Sequence, residues 1–290
     1  MKEGASMWGV TWLRFRRSKL ALGALIYVAV MALLALLAPL LAADRPSAPV
    51  PFGPNNVDIA SRLEPPSARH RLGTDDLGRD ILARMIHGAR ISLTVGFTAT
   101  AISLIVGSLL GALAGYYGGA ADWLVSRLVE IVLCFPFLFL VLGIVALFKP
   151  SLYTIMIALG LTSWTTEARF VRGEFLRIRD LEFALAARAS GAKDARIIFR
   201  HLLPNALAPV LVSASFGVAS AILIESALSF LGFGVPVPTS SWGGILSVAQ
   251  EHIEYAWWLA LFPGVAIFIT VASFNIIGDR FRDAIDPRSD

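Results

Sequence analysis

The sequence predicts an all-α membrane protein of six transmembrane helices, with both termini on the cytoplasmic side. Three observations predict it. Of 290 residues, 56% are apolar and only 16% charged, against about 25% charged in an ordinary soluble domain, and mean hydropathy is +0.70. Six apolar runs are spaced along the chain, and six spans need on the order of 120 mostly apolar residues. Lys and Arg are distributed unequally around those runs. This composition excludes a disordered, collagen-like or disulfide-stapled chain and argues against a soluble enzyme. The one cysteine, Cys134, can form no intrachain disulfide. The net charge of +4 sits beside the apolar runs, so it reads as membrane topology and not as nucleic-acid binding.

The first run, Leu20–Leu41, follows Lys2, Arg14, Arg16, Arg17 and Lys19. At about 22 residues it exceeds the 7–15 of a signal-peptide core, so an uncleaved helix is predicted. Trp8 and Trp12, four apart, predict a short interfacial helix before it. In the segment that follows, residues 44–68 are rich in Pro, Asn and Ser and predict irregular structure. From Gly73 to His87, Asp75 or Asp76 is expected to cap a surface helix carrying Leu77, Ile81, Leu82, Met85 and Ile86 on its apolar face. Five further runs follow: Ile91–Ala114; Leu128–Phe148, which Pro136 is expected to kink; Leu152–Thr166; Ala206–Phe230; and Ala256–Ile277. The Thr and Ser of Leu152–Thr166 predict burial among other helices.

With the N-terminus inside, the inner segments hold five Lys/Arg before the first run, Arg127, eight from Arg169 to Arg200, and three at the C-terminus. That is 17 of 25, so the bias favours N-in and C-in. The first outer segment carries seven arginines, but long loops obey the rule poorly. Two units are expected: residues 1–90, with the interfacial segment, first helix and external loop, and residues 91–290, a five-helix core with a cytoplasmic loop at 167–205.

No phosphate-cradling G-x-x-x-x-G-K-[ST], H-E-x-x-H or C-x-x-C occurs. No catalytic residue, metal site or cofactor is expected in this chain, so active transport would draw on an ion gradient or a separate ATPase. The most informative segment runs from Glu182 to Pro204. It predicts a helix, a glycine break at Gly191, and a second helix capped by Asp194 and ended by Pro204. Ala184, Ala187 and Gly191 would form one small, flat face, which suits either docking into a partner's groove or a solvated loop.

The pattern Ala186-Ala187-x3-Gly191-x11-Leu203-Pro204 resembles the EAA loop of ABC importer permeases. With Ala187-Arg-Ala-x-Gly-Ala192 before Ile198-Phe-Arg-His-x-Leu-Pro-Asn205, it is similar to the dipeptide, oligopeptide and nickel branch. Further matches to the C-type subunit of that branch are Leu72-Gly-Thr-Asp-Asp-Leu-Gly-Arg-Asp80, Ala114-Gly-Tyr-Tyr-Gly-Gly119 with Asp122, Phe135-Pro136, Glu225-Ser-Ala-Leu-Ser-Phe-Leu-Gly232, Ser241-Trp-Gly243 and Gly278-Asp-Arg-Phe-Arg-Asp-Ala-Ile-Asp-Pro-Arg288. The resemblance implies an ABC importer permease fold in a bacterial-type inner membrane, importing peptides or, alternatively, nickel or another solute. It implies a homologous second permease, two cytoplasmic ATPases that use ATP and Mg, and an extracytoplasmic solute-binding protein.

For the loop, the resemblance implies ATPase coupling through Glu182, Ala186, Ala187, Arg188, Gly191, Ala192, Lys193, Leu203 and Pro204. The acidic residue of the family's E-A-A triplet is Leu185 here, with Glu182 one turn earlier. Glu225, costly at membrane depth, is expected with Ser229, Phe230 and Trp242 at the translocation path, a gate or a permease interface. Trp257 and Trp258 are expected as interfacial anchors, Arg127 and Glu130 as an interfacial pair, and Asp279–Arg288 as an ATPase contact or solvated tail. An ion-driven transporter would instead show charged or broken midplane helices in repeated halves, and no such repeat occurs.

Overall fold

A computed structural model describes residues 7–285. Lys2 and Arg288, counted in the charge bias, lie outside the described residues. The described residues form helices α1 (Met7–Arg17), α2 (Lys19–Leu41), α3 (Ile81–Tyr117), α4 (Gly119–Leu133), α5 (Phe137–Leu147), α6 (Leu152–Ile178), α7 (Glu182–Ala189), α8 (Asp194–Arg196), α9 (Leu203–Phe230), α10 (Trp242–His252) and α11 (Trp258–Ile285). Four of them, α2, α3, α9 from Pro209 and α11 to Ala284, are long and apolar enough to cross a membrane. The α4–α5 pair qualifies only when taken together, and it is bent by 86°.

α1 forms where the paired tryptophans predicted a helix, and its Phe15 packs edge-on against Phe281 of α11 at 6.4 Å. Phe15, Ala21 and Ala284 make a small core, so α1, the start of α2 and the far end of α11 lie at one end of the bundle. The segment 42–80 is irregular apart from a single turn at Ile59–Ser61.

Three expectations are corrected here. The surface helix and the second span are one helix, α3, whose 37 residues reach about 55 Å and outrun a ~30 Å hydrocarbon layer. Its cap is Asp80, which accepts from Ala83 N at 2.8 Å. Asp75 lies in the preceding turn and accepts from the N–H groups of Leu77 (3.0 Å) and Arg79 (2.9 Å) and from the Arg79 guanidinium (2.7 Å). It is engaged too early to cap α3, and Leu77 lies outside the helix. Second, Pro136 breaks the third run outright: α4 stops at Leu133 and α5 starts after Pro136 at a near-right angle. Third, α6 does not end at Thr166 but continues to Ile178, so residues 167–178 of the expected loop are helical. Thr162, Thr165 and Glu167 are buried within it, in line with the burial predicted for that run.

The longest packing seam joins α3 to α6. Gly107, Gly111 and Gly115 recur every fourth residue on α3, and each sits where α6 passes closest. A Cβ on Gly107 would lie 2.5 Å from Glu167 Cβ, one on Gly111 would lie 2.4 Å from the Ala168 carbonyl oxygen, and one on Gly115 would lie 2.5 Å from Phe175 Cβ. Small residues at this spacing let two membrane helices approach backbone to backbone. The spacing is plain in the sequence.

The corner between α3 and α4 is tied to α6 as well. Arg172 forms a two-pronged ion pair with Asp122, its Nη2 donating at 2.8 Å, and Arg179 Nη1 donates to the Gly115 carbonyl at 2.9 Å. Both members of the ion pair are partly exposed, so its contribution is that of a surface pair. Asp122→Asn is expected to lower the thermal midpoint of the purified chain by a few degrees, and high salt should shrink the difference. Thermal unfolding of both variants at low and high salt checks this.

Candidate functional site

Three places carry the chemistry, and the first is the loop between α6 and α9. α7 ends in a backbone motif that uses Gly191: Gly191 N–H bonds to Arg188 O (2.9 Å), and Ala192 N–H reaches back to Ala187 O (3.1 Å). This pairing needs a left-handed residue, and Gly191 has φ +75°. Arg188 lies over the Tyr116 ring at 5.1 Å, and the Tyr116 hydroxyl donates to Asp194 Oδ1 at 2.7 Å. Asp194 is therefore occupied by Tyr116 and does not cap the helix after the break.

The second helix is not ended by Pro204 either. After α8 the chain passes through one π-helical turn, Ile197–Leu202, and runs on into α9. Pro204 has no N–H and would crowd the carbonyl four residues back. The wider turn absorbs this, with Leu203 N–H bonding five residues back to Ile198 O.

Ala184 and Ala187 turn inward while Gly191 stays exposed, so the three do not form one docking face. Ala184 is fully buried against Ile197, Leu202, Phe175 and Tyr116, and Ala187 packs half-buried beside it. The exposed surface is instead Glu182, Phe183, Leu185, Ala186, Arg188, Gly191 and Lys193, with Phe199 nearby. Ala192 and Leu203 are half-buried and Pro204 is exposed. Glu182 opens α7, where a carboxylate suits the helix dipole.

The second place brings together three of the four residues predicted for a path or gate. Glu225 is completely buried and accepts from Ser229 Oγ at 2.8 Å and Ser92 Oγ at 3.2 Å. Ser92 also accepts from Trp242 N at 3.3 Å, and Ser241 lies 3.5 Å from Ser229. Trp242 is fully buried, with its indole N–H donating to Met85 O at 3.1 Å and its ring beside Gly88. These contacts seal the cluster between α3, α9 and α10. Glu225 and Trp242 thus hold the short helix α10 onto the bundle. Phe230 stands apart, 40% exposed. Trp258 is also buried, donating to Thr74 O at 3.0 Å, so of the two expected anchors only Trp257 is exposed. Arg127 and Glu130 pair on the surface as expected.

The third place was not singled out in the sequence. A cleft of about 420 Å³ opens between α3, the α4–α5 break, α6 and α9. Hydroxyls of Thr100, Ser103, Ser163, Thr166 and Ser220 line it, with Glu167 at its wall. The sequence signal for it is an acid at the end of a Ser/Thr-rich apolar run.

Residues 107–290 match the family described as binding-protein-dependent transport system inner membrane component, and residues 6–66 match the N-terminal transmembrane domain of oligopeptide transport permease C. Over 283 residues the chain is 44% identical to the dipeptide transport system permease protein DppC of Alkalihalophilus pseudofirmus, covering 98% of this chain and 90% of that protein. It is 38% identical over 287 residues to the oligopeptide transport system permease protein OppC of Bacillus subtilis, covering 99% and 92%. Its fold is similar, at TM-score 0.56 and 22% identity, to a chain of the MetNI methionine ABC transporter solved in an inward-facing conformation, covering 71% of this chain and 98% of that one.

Proposed function

The chain belongs to the family of binding-protein-dependent transport inner membrane components, and from that premise we propose that it is one permease subunit of an ATP-driven importer of di- or oligopeptides. The observation that carries this reading is the 44% identity to a dipeptide permease along nearly the whole chain. In this reading the chain forms half of a pore completed by a homologous permease. Two cytoplasmic ATPases bind and hydrolyse ATP with Mg, and an extracytoplasmic binding protein delivers the solute.

The six-crossing arrangement, N-in and C-in in a bacterial-type inner membrane, belongs to the same proposal. The packing of α1 on the end of α11 supports it, because both termini then lie on one side. So does the charge bias. The broken α4–α5 pair and α6 supply the crossings beyond the four apolar helices. The expected division at residues 90/91 falls inside the continuous helix α3, so α3 joins the first unit to the core that carries the coupling surface.

Coupling is assigned to the exposed side of α7 and the Gly191 turn. Leu185, Ala186, Arg188, Gly191 and Lys193 face outward, while Ala184, Ile197 and Leu202 lock the loop onto α3 and α6. A partner pressing on the exposed side therefore moves packed helices and not a slack loop. Closure of the ATPases drives alternating access only if they bind one permease state more tightly. Glu182 serves where the family's acidic residue is replaced by Leu185.

The test is transport by the complete complex in proteoliposomes. Uptake of a labelled dipeptide should require ATP on the ATPase side and the binding protein outside, and should survive proton and sodium ionophores. Uptake that persists without the ATPases, or that ionophores abolish, would overturn the reading in favour of a gradient-driven transporter.

A further inference from the structure

We infer that the cleft around Glu167 is a transit subsite that takes the α-ammonium group of a peptide crossing the pore, with the Glu167 carboxylate as its counter-charge. The inference rests on the peptide-import reading above and names the residue within the pore that meets the substrate's charge.

Glu167 is 5% exposed and stands sixteenth of 27 residues in α6, about 22 Å along the helix from its outer end. An acid at such depth is costly and normally has a cationic partner. Here its hydrogen-bond partner is a neutral hydroxyl, Ser213 Oγ, which donates at 2.6 Å. The nearest basic residues on the same helix are directed elsewhere. Arg172 is engaged by Asp122, and both Arg169 and Arg172 line a separate groove with Glu130. Among the described residues lining the Glu167 cleft, it alone has an acidic or basic side chain.

A second observation also points to a ligand. Thr100 is 6% exposed, lines the same cleft, and its hydroxyl finds no hydrogen-bond partner among the described residues. A buried polar atom left unmatched is destabilising unless something visits it. The remaining wall combines Phe135, Phe137, Phe170 and Phe216 with Ser and Thr hydroxyls. A volume of about 420 Å³ falls in the range of small-ligand pockets. One carboxylate, an unpaired hydroxyl and aromatic walls fit a short peptide's charged amino end, its backbone and an apolar side chain.

The experiment probes charge selectivity at the cleft directly. In a Cys134→Ser background, Ser220→Cys places a thiol in the lining; Ser163→Cys is the second reporter if the first fails to assemble. The complete complex is labelled with a trimethylammonium methanethiosulfonate and with its sulfonate counterpart. The cationic reagent is expected to react at least fivefold faster, and Glu167→Gln should bring the ratio close to one, with Glu167→Asp restoring most of it. During ATP-driven turnover with loaded binding protein, a dipeptide with a free amino group should slow labelling at least threefold, and Glu167→Gln should cut its uptake at least tenfold. An unchanged reagent ratio in Glu167→Gln, or peptide uptake equal to wild type, would overturn the inference while leaving peptide import intact. If the wild-type complex moves no peptide at all, the import reading fails first and this inference fails with it.

Discussion

Replacing Gly111 with leucine is expected to leave almost no folded permease. Gly111 sits mid-seam between α3 and α6, and a Cβ there would lie 2.4 Å from the Ala168 carbonyl oxygen and 3.0 Å from Val171 Cβ. Overpacking a well-filled interior typically costs about 1–3 kcal/mol, because neighbouring side chains shift to make room. Here the obstruction is backbone, and no shortening of a side chain on α6 relieves it. The two helices must separate, which also strains the contacts at Gly107 and Gly115. A loss above about 4 kcal/mol would be a large part of a total stability of roughly 5–15 kcal/mol. Fluorescence-detected gel filtration of the detergent extract checks this: Gly111→Leu should run as aggregate, and Gly111→Ala should be intermediate. Gly23→Leu on α2, where nothing lies within 4 Å of an added Cβ, should run as wild type. A monodisperse Gly111→Leu protein with an unshifted melting midpoint would refute the close-packed seam.

The helices were legible in the sequence where a run is continuously apolar, because burial of a whole helix in lipid demands little else. α2, α9 and α11 begin and end within a few residues of the ranges read from the sequence, apart from the far end of α11. Legibility failed where a neighbour distant in sequence decides the outcome. Pro136 was visible, but proline alone does not distinguish a kink from an 86° break. The charged second half of α6 resembled a loop because its ion-pair and hydrogen-bond partners, Asp122 and Ser213, lie some fifty residues away in either direction. Trp242, beside two glycines in a stretch free of Lys and Arg, resembled a surface residue. Its slot is made by Gly88, Met85 and Ser92 on α3, about 150 residues earlier. The loop from Glu182 to Pro204 shows the same division. Its helix–glycine–helix order follows from local rules, whereas the inward turn of Ala184 depends on Phe175 and Leu202.

Gly191→Arg is expected to abolish coupled transport in a chain that still folds. Gly191 differs from Gly111 in the reason a glycine is there. Nothing lies within 4 Å of an added Cβ, so packing does not require it, while φ of +75° does. Any L-residue at that angle costs roughly 1–2 kcal/mol of backbone strain, confined to an exposed turn. Gly191→Ala isolates that strain, and Gly191→Arg adds bulk and positive charge to the surface assigned to ATPase docking. The arginine variant should elute as wild type on gel filtration and share the melting midpoint of Gly191→Ala. Its ATP-driven uptake should fall at least a hundredfold, equivalent to about 2.7 kcal/mol of lost coupling, and mild-detergent purification should recover the second permease without the ATPases. Gly191→Ala should keep uptake within about fivefold of wild type. Equal losses in both variants would assign the effect to the turn's geometry. Full uptake and retained ATPases in Gly191→Arg would move the docking surface elsewhere, to the exposed Phe199 side of the loop or to the end of α11.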